Sequence, residues 1–308
     1  MSALHRDLND YLAIRRALGY KLQRTALLLA DFVAHMEANG ADAITTDAAL
    51  AWASLPPNGA SDWWAQRLSV VRGFARHLHA IDPTHEVPPV GLLPGRSHRA
   101  TPYLYSDVDI VALMAAARSV RSPLRAATFE TLVGLLAVTG LRIGEALRLD
   151  RDDVDLVEGV LTIRFTKFGK SREVPLHPST VAALRAYSEH RCRMGRRLRT
   201  TTFFVSIFGD RLNYDSVHRT FHRLVRRLGP QPHSKHHSPR LHDLCHTFAV
   251  RTLLDWYRDG ADVSRRLHRL STYLGHIDPS ATYWYLSAAP ELLALAAERL
   301  ESLDGELS

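Results

Sequence analysis

The sequence predicts a mainly α-helical protein with one small β-hairpin, divided into an all-helical N-terminal domain and a mixed α+β C-terminal domain. Three observations predict it. Apolar residues recur at helical spacing from the start to about Ile81, the proline- and glycine-rich stretch Asp82–Pro102 then interrupts them, and one stretch of strict alternation appears near Leu161 among renewed helical stripes. A chain of 308 residues is also long for one core and comfortable for two. The expected boundaries are 1–87 for the helical domain, 88–102 for a linker and 103–308 for the second domain.

In the first domain, Leu4, Leu8, Tyr11 and Leu12 lie one and two helical turns apart, as do Trp64, Leu68, Val71, Ala75 and Leu78. Between them Leu22, Leu29, Phe32, Val33 and Met36 form a stripe that Asn39-Gly40 terminates, and a short helix is expected around Trp52. Four helices follow, and their aromatic residues read as core. Pro83, Pro88, Pro89, Pro94 and Pro102, with Gly91 and Gly95, deny the next segment regular structure. Its Arg96, His98 and Arg99 read equally as backbone-phosphate contacts and as a solvated basic loop.

Ser106 followed by Asp109 is a capping box, opening a helix through Val111 and Met114. A second helix near Ser122–Val138 stops at Thr139-Gly140. Leu161, Ile163 and Phe165 alternate with Thr162 and Arg164, Gly169 supplies a turn, and Arg172–Leu176 pairs back as a hairpin. Tyr214, Val217, Phe221, Leu224, Val225 and Leu228 then mark a helix with Arg219, His222, Arg223, Arg226 and Arg227 mostly outside its apolar stripe.

Composition narrows the function classes. Apolar runs such as Leu132–Val138 are far shorter than the roughly 20 residues of a membrane span, and Met1–Tyr11 mixes charges with isolated leucines, unlike a secretory signal. A cytoplasmic, nucleoid-associated protein is expected. Two cysteines, Cys192 and Cys245, are too few for a disulfide framework or a four-thiolate zinc site. Lys and Arg number 39 against 32 Asp and Glu, a net charge of +7, and the arginine-rich excess suits phosphate, whose oxygens match the planar guanidinium fork.

Four blocks carry the chemistry. Thr139-Gly140-Leu141-Arg142-Ile143-Gly144-Glu145 sets an arginine at the mouth of a helix; Lys167 sits beside the hairpin turn in Thr166-Lys167-Phe168-Gly169-Lys170; Arg240-Leu241-His242-Asp243-Leu244-Cys245-His246 begins a helix; and Leu274-Gly275-His276 precedes Tyr285. In this order they resemble the tyrosine recombinases, the phage integrase family. The resemblance covers about Tyr103 to the C-terminus. It implies an α+β catalytic domain there, and the helical N-terminal region resembles the family's SAM-like core-binding domain in type and position.

The resemblance implies a role for each matched residue. Arg142 would hold the non-bridging oxygens of a scissile phosphodiester, with Glu145 matching the glutamate of the same block. Lys167, which fits the distance to Val174-Pro175-Leu176 better than Lys170, would protonate the departing 5′-oxygen. His242 would transfer a proton or donate to phosphate, His276 would be a second donor, and Tyr285 the nucleophile. Tyr283 is a rival whose spacing from His276 does not fit. The chemistry is consistent with these residue types: a phosphorane gathers negative charge that fixed cations stabilise, and imidazole titrates near neutrality. No metal or other cofactor is required. A histidine cluster, His233, His236, His237, His242 and His246, matches no standard zinc spacing and is interrupted by proline.

One position departs from the pattern. Where the family has a second arginine, three residues after His242, this chain has Cys245, which cannot neutralise charge as a guanidinium does. Loss of one such donor costs about 3–4 kcal/mol, roughly 10² to 10³ in rate. Three readings stand: a weakened or silent recombinase that still binds DNA and works beside active partners; compensation by Arg240 or Arg251; or a substitution within an otherwise active protein. The span from His242 to His276 is also longer than in simple members, with a basic helix through Arg265 and Arg266. The expected partner is double-stranded DNA. The resemblance further implies a homo- or hetero-tetramer on two DNA sites. The helix expected at Pro290–Leu303 would dock either on its own domain or into a neighbouring protomer.

Overall fold

A computed structural model describes residues 2–55, 59, 61–95, 101–164, 171–193, 199–229, 239–276, 278–288 and 291–295. The chain separates into two compact units, Met1–Ala100 and Thr101–Ser308. Among the described residues no helix is long and apolar enough to cross a membrane.

Among the described residues the first unit holds four helices, α1 (Ala3–Ala17), α2 (Gln23–Ala38), α3 (Thr46–Ser54) and α4 (Ser61–His79). Their apolar stripes meet in one core containing Leu8, Phe32, Met36, Trp52 and Phe74. Arg67 is buried in it, stacked 3.7 Å from the Trp52 ring centre and donating to the Trp52 carbonyl at 2.9 Å. Helix and strand are absent from 82–95, yet the start of this segment is fastened to the unit. Arg72 donates to the carbonyls of Pro88 (2.7 Å) and Pro89 (2.8 Å), and the Glu86 N–H donates to the Ile44 carbonyl at 2.7 Å.

The second unit is mostly helical around a small sheet: α5 (Asp107–Arg118), α6 (Pro123–Thr139), α7 (Ile143–Ala146), β1 (Val154–Asp155), β2 (Val160–Ile163), β3 (Arg172–Pro175), α8 (Pro178–Arg193), α9 (Tyr214–Arg227), α10 (Leu241–Arg258), α11 (Val263–Tyr273) and α12 (Ser280–Ala288). The strands are antiparallel in the order β1-β2-β3, with Leu161 opposite Val174 and Ile163 opposite Arg172. The expected hairpin is thus extended by a third, two-residue strand; Phe165 and Gly169 lie outside the described residues. The Ser106–Asp109 capping box forms in both directions, at 3.1 and 2.8 Å.

Helix α6 buries residues on most of its circumference, including Leu124, Phe129, Leu132, Val133 and Leu136, which makes it the central element of the unit. Its core includes Leu161 and Val174 of the sheet, Tyr187 of α8 and Phe221 of α9. A second cluster joins α10, α11 and α12 through Ala249, Leu253, Leu267, Leu274 and Tyr285. Gly140 ends α6 in the left-handed region (φ 61), where a Cβ would collide with the Phe248 ring of α10. That glycine allows the chain to turn sharply into Arg142 while α10 packs against it.

Candidate active site

Arg142 occupies the extended position that precedes α7, immediately after the Gly140 turn. Its backbone N–H donates to Glu145 Oε2 and its Nη1 to Glu145 Oε1, both at 3.1 Å. Arg172, at the start of β3, donates to the same carboxylate with Nη1 (3.1 Å) and Nη2 (2.8 Å). Burial pushes the Glu145 carboxyl up, but the Arg172 hydrogen bonds and the charges of Arg172 and Arg142 outweigh it and hold the carboxyl below its usual range. One buried carboxylate beneath two guanidiniums leaves a net positive charge, and its bonds fix the direction of Arg142, whose side chain remains 32% exposed.

The loop after α11 closes over this pair. Arg142 Nη2 donates to the Gly275 carbonyl at 3.3 Å. Gly275 has φ 65, and a Cβ there would lie 2.8 Å from Arg172 Nη1 and 3.4 Å from Arg142 Nη1. Glycine is therefore required by the backbone conformation and by the approach of two side chains. The next residue, His276, has Nδ1 2.7 Å from the Thr282 hydroxyl of α12, and its ring lies nearly parallel to that of Tyr285, with centres 6.2 Å apart.

Tyr285 is 1% exposed. Its hydroxyl lies 2.9 Å from Nδ1 of His246, a buried residue on α10. One turn earlier on the same helix is His242, exposed, its ring centre 4.5 Å from that of His246. The start of α10 is anchored by the fully buried Asp243, which accepts from the Arg240 backbone N–H at 2.9 Å and from its guanidinium at 3.1 and 3.3 Å. An acidic residue in the first turn also suits the helix dipole. Contacts thus run from Arg142 through Gly275 and His276 to Tyr285, and on through His246 to His242. Lys167 lies outside the described residues, as do Arg96, His98 and Arg99. Tyr283 is 47% exposed and, two positions from Tyr285, projects from another side of α12.

Cys245 is 3% exposed and belongs to the α10–α12 cluster. Both arginines considered as its substitute hold other partners. Arg240 pairs with Asp243, while Arg251 pairs with Asp107 and donates to the Tyr105 carbonyl at 2.8 Å. The arginine beside Arg142 is Arg172, in the sequence only a residue of the returning strand; its Nε is buried and has no hydrogen-bond partner among the described residues. His246 was likewise read only within the histidine cluster. Its spacing of one turn from His242 was the available signal. His233, His236 and His237 fall outside the described residues, and among those described no group of three or more His, Cys, Asp and Glu could hold a metal ion.

A basic face lies elsewhere on the unit. His218, Arg219, His222, Arg223 and Arg226 line one shallow surface of α9, with the two imidazole Nε2 atoms 3.1 Å apart. Burial, then the neighbouring His218 and Arg226, lowers the pKa of His222.

Known proteins resemble this chain in sequence and in fold. y4rB of Sinorhizobium fredii, named as an integrase/recombinase, is 47% identical over 98% of both chains. A tyrosine recombinase XerC of Alcanivorax borkumensis is 29% identical, covering 76% of this chain and 71% of its own. Among solved structures, the Tn1549 transposon integrase in complex with transposon right end DNA superposes with a TM-score of 0.68 at 16% identity, covering 97% of this chain and 99% of that one. XerH site-specific recombinase bound to a palindromic difH substrate gives 0.63 at 19% identity, over 90% and 78%. The phage integrase family model matches residues 104–291, most of the second unit with every described residue of the candidate site, and the chain therefore belongs to the phage integrase family, the tyrosine recombinases.

Proposed function

We propose that the chain recombines DNA at specific sites by cleaving a strand with Tyr285, holding it as a 3′-phosphotyrosyl link, and rejoining it to a new 5′-hydroxyl. The observation that carries this reading is the continuous set of contacts joining Arg142, His276, Tyr285, His246 and His242. In this reading Arg142, oriented by Glu145, holds the non-bridging oxygens; His242 and His276 donate to the phosphate or move protons; and Lys167 protonates the leaving 5′-oxygen. Fixed donors of this kind act on the phosphorane without reorganising as charge develops. The link conserves the energy of the phosphodiester, so rejoining needs no cofactor.

Double-stranded DNA is the proposed partner, with 1–87 as core-binding domain, 103–308 as catalytic domain and 88–102 as the linker. The Tn1549 transposon integrase and XerH, both solved in complex with DNA, support this. The similarity in fold to the Tn1549 transposon integrase favours a mobile-element recombinase. The basic face of α9 is suited to backbone phosphates, a salt-sensitive contact. Assembly as a homo- or hetero-tetramer on two DNA sites belongs to the same proposal. The helix expected at Pro290–Leu303 would carry the contact between protomers; of its described residues, Leu292 is buried in the cluster of α10, α11 and α12.

Cys245 supports a second reading, a silent DNA-binding partner of active recombinases, because a buried neutral thiol stands where the family has a cation. A nicked suicide substrate separates the two. A covalent protein–DNA adduct that Tyr285→Phe abolishes establishes the enzyme. Salt-sensitive binding without an adduct establishes the silent partner.

A further inference from the structure

We infer that His246 is the base of the cleavage step, taking the proton from the Tyr285 hydroxyl as that oxygen attacks phosphorus; the inference rests on Tyr285 being the nucleophile. A phenol titrating near 10 is about 0.1% ionised at pH 7, so an unassisted tyrosine is a poor nucleophile. A base must lie within hydrogen-bond reach of the proton it removes, about 2.6–3.2 Å. His246 Nδ1 lies 2.9 Å from the Tyr285 oxygen. The other two histidines of the site are placed for different work. His276 directs Nδ1 to Thr282 at 2.7 Å and lies alongside the Tyr285 ring, and His242 is exposed at the start of α10, where it can meet a phosphate.

The surroundings of His246 fit the task. It is 4% exposed, its ring packed edge-on against those of Trp284 (5.6 Å) and His242 (4.5 Å). The imidazole is therefore held in place by helix α10 and by its neighbours before the reaction, with little water to compete for the tyrosine proton. In the neutral ring Nδ1 accepts from the hydroxyl when the ring proton is on Nε2. During cleavage the Tyr285 O–H bond breaks and its proton passes to Nδ1, while the tyrosine oxygen bonds to phosphorus. The bond from phosphorus to the 5′-oxygen breaks with its electron pair on oxygen, which takes a separate proton from the acid, the role proposed for Lys167. In rejoining, the incoming 5′-hydroxyl gives up its proton along the reverse path, and the His246 imidazolium returns a proton to the departing tyrosine oxygen.

The test is single-turnover cleavage of two nicked suicide substrates, one natural and one with sulfur in place of the bridging 5′-oxygen, whose thiolate leaves without protonation. His246→Asn is the main variant, because its carboxamide keeps a polar group near the hydroxyl but cannot take the proton; His246→Gln stands in for it should the first variant fail to fold. DNA binding and thermal melting are followed alongside. Cleavage should fall by about 10² or more on both substrates with binding retained, since sulfur relieves the need for an acid and not for a base. Lys167→Ala, by contrast, should recover on the sulfur substrate. Cleavage by a folded, DNA-binding His246 variant within a few-fold of the natural chain overturns the inference and leaves His246 as packing, and so does recovery on the sulfur substrate alone. If the natural chain and Cys245→Arg form no adduct on either substrate, the reading of Tyr285 as nucleophile is what has failed.

Discussion

Replacing Cys245 with arginine sets two effects of opposite sign against each other. The thiol is 3% exposed and packs in the cluster that contains Ala249, Leu253, Leu267, Leu274 and Tyr285. A side chain several atoms longer must thread past these neighbours, and overpacking of that kind costs about 1–3 kcal/mol. For a unit of this size each kcal/mol lowers the melting temperature by about 2–4 °C. The gain appears only when the phosphorane forms, where one more preorganised cation stabilises it by about 3–4 kcal/mol, roughly 10² to 10³ in rate. Cys245→Arg should therefore melt several degrees lower and yet cleave about 10² faster. Single-turnover cleavage of a nicked suicide substrate at saturating protein measures the rate without a contribution from binding. A variant that folds, binds with unchanged salt dependence and cleaves no faster refutes the reasoning. Joined to a large loss in Arg172→Gln, that result would locate the compensating cation on β3, where Arg172 already stands beside Arg142.

Three further substitutions test the scaffold of the site. Glu145→Gln removes the charge shared by Arg142 and the largely buried Arg172, so denaturant unfolding should show a loss of about 3–5 kcal/mol. Because the folded-state pKa of Glu145 lies below the usual range of a glutamate carboxyl, its ionised form contributes stability that is fully present above that range and disappears as pH falls through the folded value. The natural chain should lose stability more steeply than Glu145→Gln as pH falls below about 4.5; equal slopes contradict the pairing. Gly275→Ala, at φ 65 and against the Arg172 guanidinium, should cost about 1–2 kcal/mol in melting experiments and slow cleavage more than tenfold while DNA binding persists. Gly140→Ala should cost about 2–4 kcal/mol, since it adds a collision with Phe248 to the left-handed strain, and a melting temperature equal to that of the natural chain would contradict the packing described.

Long periodic segments were legible without coordinates, and the reason is physical. The helices of the first unit, the Ser106 cap, the stop at Gly140 and the stripe of α9 each repeat or punctuate a local pattern. Strand β1 was not legible, because two residues carry no alternation, and α8 buries only Leu184, Tyr187 and Arg191, too few for a clear stripe. The attachment of 88–89 to the first unit depends on Arg72 reaching backbone carbonyls, which leaves no trace in hydropathy. Within the candidate site, the order of the motifs singles out Arg142, His242, His276 and Tyr285. It does not single out Arg172 and His246, since their importance lies in what they touch: a shared carboxylate in one case, the Tyr285 hydroxyl in the other. The sequence also showed that Cys245 cannot act as a cation, while its place in an apolar cluster became apparent only from the packing.

The central claim is that Tyr285 becomes covalently joined to DNA, and locating the joined residue tests it most directly. Protein trapped on a suicide substrate, digested with protease and nuclease and sequenced by mass spectrometry, should carry its nucleotide on the Tyr285 peptide through a 3′-phosphate. A nucleotide on Tyr283 or Cys245, a 5′-linkage, or cut DNA with no attached peptide would contradict the account.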